Sequence, residues 1–182
     1  MRTHDQARAQ LSTVLWLRPP RLEDEQAFAA AHQVMADGDD FTFGLGLEPG
    51  LPWAAYLKSL EDHRSGINLP PELVPSTFLV ADVAGEIVGR SSIRHTLNDF
   101  LAREGGHIGY CVLPQFRRRG YATEILRQSL VIARAAGVGR VLVICDDGNV
   151  GSAAVIEACG GRLESVVRIA PGAPPTRRYW VD

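Results

Sequence analysis

Apolar and polar positions divide the chain into a helix-rich first third and a strand-rich remainder. Phe28, Ala31, Val34 and Met35 recur at the spacing of one helical face, which predicts a helix over 22–36 with acids at its start. The apolar run VLWLRPP at 14–20 predicts a first strand closed by two prolines. PWAAYLKSLEDHR at 52–64 predicts a second helix with proline in its first turn. The glycine-rich stretch 37–50 and the segment 65–76 are expected to be irregular. Residues 1–13 are polar and aperiodic, an expected flexible tail that leaves 14–182 as one domain.

From Thr77 the texture changes to strands. TFLVADV at 77–83 and EIVGRSSIRH at 86–95 flank Ala84 and Gly85, which predicts an antiparallel hairpin. TLNDFLAREGG is expected to be a polar connector or helical turn, and HIGYCVLP at 107–114 a third strand stopped by Pro114. Ile125, Leu126, Leu130, Ile132 and Ala133 predict a helix over 121–137 that stops at Gly137. A buried strand at 140–146, a helix at 149–161 and two closing strands at 162–169 and 176–182 complete the order. Helices first and then alternating strands and helices imply an α/β fold around a central mixed, mostly antiparallel sheet.

Composition narrows the class. A chain of 182 residues with 46% hydrophobic and 22% charged residues can bury a full core without disulfides or metal. No apolar run approaches the ~20 residues a membrane span needs, and the N-terminal ten residues do not read as a secretory leader, so no membrane is implied and a cytoplasmic location is expected. Cys111, Cys145 and Cys159 form no CxxC pair and sit among apolar neighbours, as buried reduced thiols do. A formal net charge of −2 argues against nucleic acid as a partner.

Against that acidic balance, RRRGYA at 117–122 stands out. A strand that ends, a short loop and a helix opening with Gly120-Tyr121-Ala122 gather free backbone N–H groups into one concavity, to which the helix N-terminus adds partial positive charge. Such a concavity suits phosphate, and Gly120 and Ala122 keep it accessible while the arginines supply charge around it. Neither a Gly-Lys-Ser/Thr phosphate loop nor a dinucleotide fingerprint is present.

The strand, then Arg117-x-x-Gly120-x-Ala122 opening a helix, resembles the acetyl-coenzyme A motif of the GNAT N-acetyltransferase superfamily. The hairpin at 77–95, GYCVLP, VLVICD and the Asn149-x-x-Ser152 helix start match the same order, and RSSIRHTLNDFLAREGGHIGY is similar to a bacterial branch whose acceptors are mostly unassigned. The resemblance implies acetyl-coenzyme A as co-substrate, with no metal. Backbone amides of Arg117, Arg118, Arg119, Gly120, Tyr121 and Ala122 would hold the pyrophosphate, with Thr123 closing the turn. Cys111, Val112 and Leu113 would align the pantetheine arm, and Asn149 and Ser152 would support the coenzyme from the next helix. Binding would lie between HIGYCVLP and VLVICD, and a small-molecule or peptide amine would accept the acetyl group. A homodimer fits the class.

The chain departs from the family at Ile156, where members often carry a tyrosine that protonates the leaving thiolate. A thiol pKa near ~8.5 makes such an acid helpful but dispensable. His107, Tyr110 and, on the paired hairpin strand, His95 with Arg94 are the candidates for proton transfer from the acceptor; the two histidines equally fit hydrogen-bonded structural positions, and Tyr110 fits an acceptor-pocket wall. Phe41, Phe43, Trp53 and Tyr56 fit either that pocket or the core. The rival expectation is a non-catalytic acyl-coenzyme A binding or sensing module.

Overall fold

The structure is a computed structural model that describes residues 14–39, 41–168 and 170–182. The tail expected over 1–13 lies outside the described residues.

Strand β1 (Leu15–Arg18) leads through a 3-10 turn at Leu22–Asp24 into helix α1 (Glu25–Asp39), and α2 (Trp53–Ser65) follows. Strands β2 (Ser76–Val83), β3 (Glu86–Arg94) and β4 (Ile108–Val112) precede α3 (Tyr121–Ala135), β5 (Val141–Asp146), α4 (Val150–Ala158), β6 (Arg162–Val167) and β7 (Thr176–Val181). The predicted hairpin turn forms at Ala84 and Gly85, with φ of 56° and 85°. Two successive positive φ values match the right-handed twist of the flanking strands. The Gly85 N–H donates to Asp82 Oδ1 at 2.7 Å, which holds the turn despite the alanine.

Helix α1 runs three residues past its predicted end, through Gly38 to Asp39. A Gln33 Nε2 to Asp37 Oδ1 bond of 2.8 Å supports the extra turn, a local pair that outweighs the glycine. A π-helical turn at Leu101–Gly105 and a 3-10 turn at Pro114–Phe116 occupy the two connectors around β4.

All paired strands are antiparallel and fall into two sheets, β1-β2-β3-β4 and β5-β7-β6. Strand β2 is buried on both faces. Phe78 and Val80 pack with Phe28, Met35, Phe43, Trp53 and Tyr56 beneath α1 and α2, while Leu79 packs with Ile93, Ile108, Leu126 and Tyr179 on the α3 side. This is the two-residue period of a strand between two helical layers. Phe43, Trp53 and Tyr56 are therefore core residues.

The sheets meet where β4 begins. The His107 N–H donates to the Leu142 carbonyl at 2.7 Å, and the Leu142 N–H donates to His107 Nδ1 at 2.9 Å. Beyond that junction β4 and β5 have no ladder between them, so a gap opens along β4.

Candidate functional site

The loop from Arg117 to Gly120 joins β4 to α3. Arg118 and Gly120 adopt φ of 63° and 80°, and Gly120 caps α3 without any side-chain hydrogen bond. Arg117 N–H is spent on the Pro114 carbonyl at 3.3 Å. From Arg118 to Thr123, no backbone N–H donates to a carbonyl or side chain among the described residues. Six amides in and just before the first turn of a 15-residue helix are thus unspent at its positive end, a set of donors that suits a phosphate. A Cβ on Gly120 would meet nothing within 4 Å, so the face is open. A cavity of about 270 Å³ lined by Leu15, Arg119, Gly120, Tyr121 and Glu124 lies over it.

The arginines divide their duties. Arg117, expected from sequence to supply charge around the concavity, is committed to the protein instead: its guanidinium pairs with Asp39 at the end of α1, and its Nε donates to the Val112 carbonyl at 3.1 Å. Arg119 donates to the Gln115 carbonyl at 3.1 Å and lies over the Phe116 ring. Arg118 is exposed beside the unspent amides.

Along β4 the antiparallel ladder decides which backbone groups face the gap. The Leu113 N–H donates to Val88 at 2.9 Å, and the His107 carbonyl accepts from Arg94 N–H at 2.7 Å. Odd-numbered residues therefore bond to β3, and the N–H groups of Tyr110 and Val112 point the other way. The backbone groups of Cys111 and Leu113, expected to align a pantetheine arm, are thus spent on β3, and those left facing the gap belong to Tyr110 and Val112. The Cys111 side chain packs into the aromatic core, where burial raises its thiol pKa.

Asn149 caps α4, its Oδ1 accepting from Ser152 N–H at 3.0 Å, which leaves the amide nitrogen for a ligand. The Ser152 hydroxyl stands 2.9 Å from the Tyr110 hydroxyl. Burial pushes the Tyr110 phenol up to about 12, so it stays protonated at neutral pH. Ile156 is fully buried in the core.

The two histidines occupy structural positions. His107 is buried at the sheet junction with Nδ1 accepting, and burial followed by the Arg94 charge lowers its pKa. Its neutral ring therefore carries its proton on Nε2. His95 Nε2 bonds Thr77 Oγ1 at 2.8 Å, and burial together with Arg64 lowers its pKa. Arg90 was not singled out by sequence, and Arg94 only as a companion of His95, yet both are sequestered beside Gly109 on β4. Their spacing at every fourth residue of a strand, on one face, was the available signal.

Among the described residues, no group of three or more His, Cys, Asp or Glu side chains gathers to hold a metal ion, and no helix is long and apolar enough to cross a membrane.

A family model for the acetyltransferase (GNAT) domain matches residues 15–162. Among solved structures, RimJ of Mycobacterium smegmatis in complex with CoA-disulfide superposes with a TM-score of 0.67 at 20% identity, over 94% of this chain and 83% of that one. The microcin C7 self-immunity acetyltransferase MccE, in complex with acetyl-CoA and AMP, gives 0.64 at 19% identity over 93% and 96%. The putative acetyltransferase yncA of Salmonella typhimurium, with its cofactor acetyl-CoA, gives 0.62 at 14% identity over 92% of each chain. These likenesses are of fold, and they agree with the α/β architecture expected from sequence. No curated protein matches the chain.

Proposed function

The chain belongs to the GNAT acetyltransferase family, and on that premise we propose that it transfers the acetyl group of acetyl-coenzyme A directly to a primary amine in a ternary complex. The observation that carries this reading is the set of unspent amides from Arg118 to Thr123, at the start of α3 and beside the gap along β4. A phosphate needs such donors, and the coenzyme's pyrophosphate supplies two.

The coenzyme brings an activated thioester. The chain's part is alignment: the N–H groups of Tyr110 and Val112 hold the arm as an added strand and donate to the carbonyl oxygen as it gains negative charge. The amine's lone pair forms the new C–N bond as the C–S bond breaks, and the ammonium proton passes to solvent. Of the coupled Tyr110 and Ser152 hydroxyls, one donates to the other and the second donates to the departing thiolate. Full proton transfer from a phenol near 12 to a thiolate near ~8.5 is uphill, so the pair acts by hydrogen bonding rather than as an acid.

Release of free coenzyme A during steady-state turnover with a panel of amines tests the proposal. Amine-dependent release supports transfer. Tight acetyl-coenzyme A binding with no release for any amine would instead favour the sensing module, a reading for which the buried Ile156 in place of a tyrosine is the observation.

A further inference from the structure

Two arginines in this molecule are buried on strands of the same sheet, and they are treated in opposite ways. Arg18 is held by two carboxylates, Asp24 at 2.6 Å and Asp82 at 2.8 Å. Arg90, 3% exposed, has no carboxylate among the described residues. Its Nη1 donates to the Gly109 carbonyl at 3.1 Å and its Nη2 to the Thr42 carbonyl at 2.9 Å, and Phe41 and Phe78 cover its faces. Its Nε is buried without any partner.

Arg94 converges on the same place. A methyl group on Gly109 would lie 3.4 Å from a terminal nitrogen of Arg94 and 3.8 Å from one of Arg90. Arg94 too bonds only to backbone, the Gly105 carbonyl at 3.2 Å and the Gly106 carbonyl at 3.4 Å. Two sequestered cations around a glycine, with spare donors and no counter-charge among the described residues, are costly unless an anion joins them. Burial lowers the pKa of both, and the Arg90 charge adds to the effect on Arg94, bringing it down to about 10.

We propose that Arg90 and Arg94 bind an oxyanion, a carboxylate or a phosphate, carried by the acetyl acceptor itself. This rests on the acetyltransferase reading and names its acceptor class: a compact amine bearing an oxyanion, not a polyamine. Gly109 is one residue from Tyr110 and three from Val112, whose N–H groups face the thioester. At about 3.3 Å per residue, the amine and the oxyanion are separated by roughly 3–10 Å. The same two cations also lower the acceptor ammonium's pKa, which supplies free amine where the histidines are committed elsewhere.

Thermal unfolding of the full chain tests the arginine pair without turnover, with desulfo-coenzyme A present to occupy the loop at Arg118–Thr123. Inorganic phosphate and acetate are compared with sodium chloride at matched ionic strength. One oxyanion is expected to raise the midpoint by several degrees beyond chloride, and Arg94→Met and Arg90→Met, each folded, to lose that rise. The oxyanion that acts identifies the group. No rise beyond chloride, or the same rise in both variants, overturns the proposal.

Turnover supplies a second arm. Glycine or O-phosphoethanolamine, whichever carries the matching group, is expected to exceed ethanolamine in kcat/KM by ~10-fold or more, with Arg94→Met removing the preference through KM. Equal use of ethanolamine overturns the inference even where acetyl-coenzyme A, titrated separately, still binds. Failure of acetyl-coenzyme A to bind the wild type would overturn the acetyltransferase reading instead and leave the thermal result standing.

Discussion

The hydroxyls of Tyr110 and Ser152 stand 2.9 Å apart, tying β4 to the first turn of α4 across the gap between the sheets. This contact joins residues 42 positions apart in the chain. It sets two coupled hydroxyls at the strand whose Tyr110 and Val112 N–H groups face the gap, while Ile156 on α4 turns into the core. In the proposed transfer, this pair supplies the leaving sulfur with a hydrogen bond without a tyrosine on α4.

Removing either hydroxyl should slow turnover without weakening coenzyme binding. Tyr110→Phe and Ser152→Ala are each expected to lower kcat by ~3–10-fold, the scale of one hydrogen bond, with acetyl-coenzyme A affinity within about twofold of wild type. The double variant should be little worse than either single one, because the two act as a unit. Steady-state coenzyme A release and calorimetric titration read the two quantities.

His107 should shape stability rather than catalysis. Its folded pKa lies below its unfolded value near ~6.5, so the unfolded chain binds more protons as pH falls. The stabilisation is complete above about pH 6.5 and is lost as pH drops through the lower folded value. His107→Ala leaves the Leu142 N–H without its acceptor, at a cost of ~1–3 kcal/mol near pH 7.5. Denaturant unfolding of wild type and variant across pH 4.5–7.5 should show the difference shrinking toward acid.

Much of this architecture was legible locally. Ala84-Gly85 signals its own turn, Gly120 signals the start of α3 and the apolar run in TFLVADV signals a strand, although only the packing shows that both its faces are buried. The connections that make the site were not, since they join residues that only folding brings together. Arg117 meets Asp39 from 78 positions away, and Tyr110 meets Ser152 from 42. The backbone alternation that selects Tyr110 and Val112 over Cys111 and Leu113 depends on register with β3, which no property of the β4 sequence sets. Arg90 looked like an ordinary strand arginine, and Arg94 only like a companion of His95, because their meaning lies in the carboxylates they lack.

The Arg18 cluster should be a stability determinant remote from the chemistry. Arg18 bonds Asp24 and Asp82 in a buried network linking β1, the turn before α1 and β2. The Arg18 bonds hold the Asp24 carboxyl below its usual range. Asp24→Ala leaves a buried guanidinium partly uncompensated and is expected to cost ~3 kcal/mol at pH 7 by urea unfolding, with coenzyme A affinity unchanged in the folded fraction. The loss should diminish below about pH 4, where the Asp24 carboxyl of the unfolded chain takes up its proton before the folded one does.

By contrast, the Arg117–Asp39 pair is partly exposed and should contribute little to stability. Asp39→Asn is expected to change unfolding free energy by less than ~1 kcal/mol. Arg117→Ala should weaken acetyl-coenzyme A more than Asp39→Asn does, because it also releases the Val112 carbonyl at the mouth of the gap. Parallel titration of the two variants checks the order.

The most direct measurement is calorimetric titration of acetyl-coenzyme A into wild type and Gly120→Glu. Gly120 has φ of 80° and open space where a side chain would project, so glutamate costs ~1–2 kcal/mol of backbone strain while placing a negative charge in the phosphate concavity. Binding at about micromolar Kd by the wild type, abolished in a variant that circular dichroism shows to be folded, is the predicted result. A folded wild type that takes up no acetyl-coenzyme A, or a variant that binds it with unchanged affinity, would contradict the assignment of the loop at Arg118–Thr123.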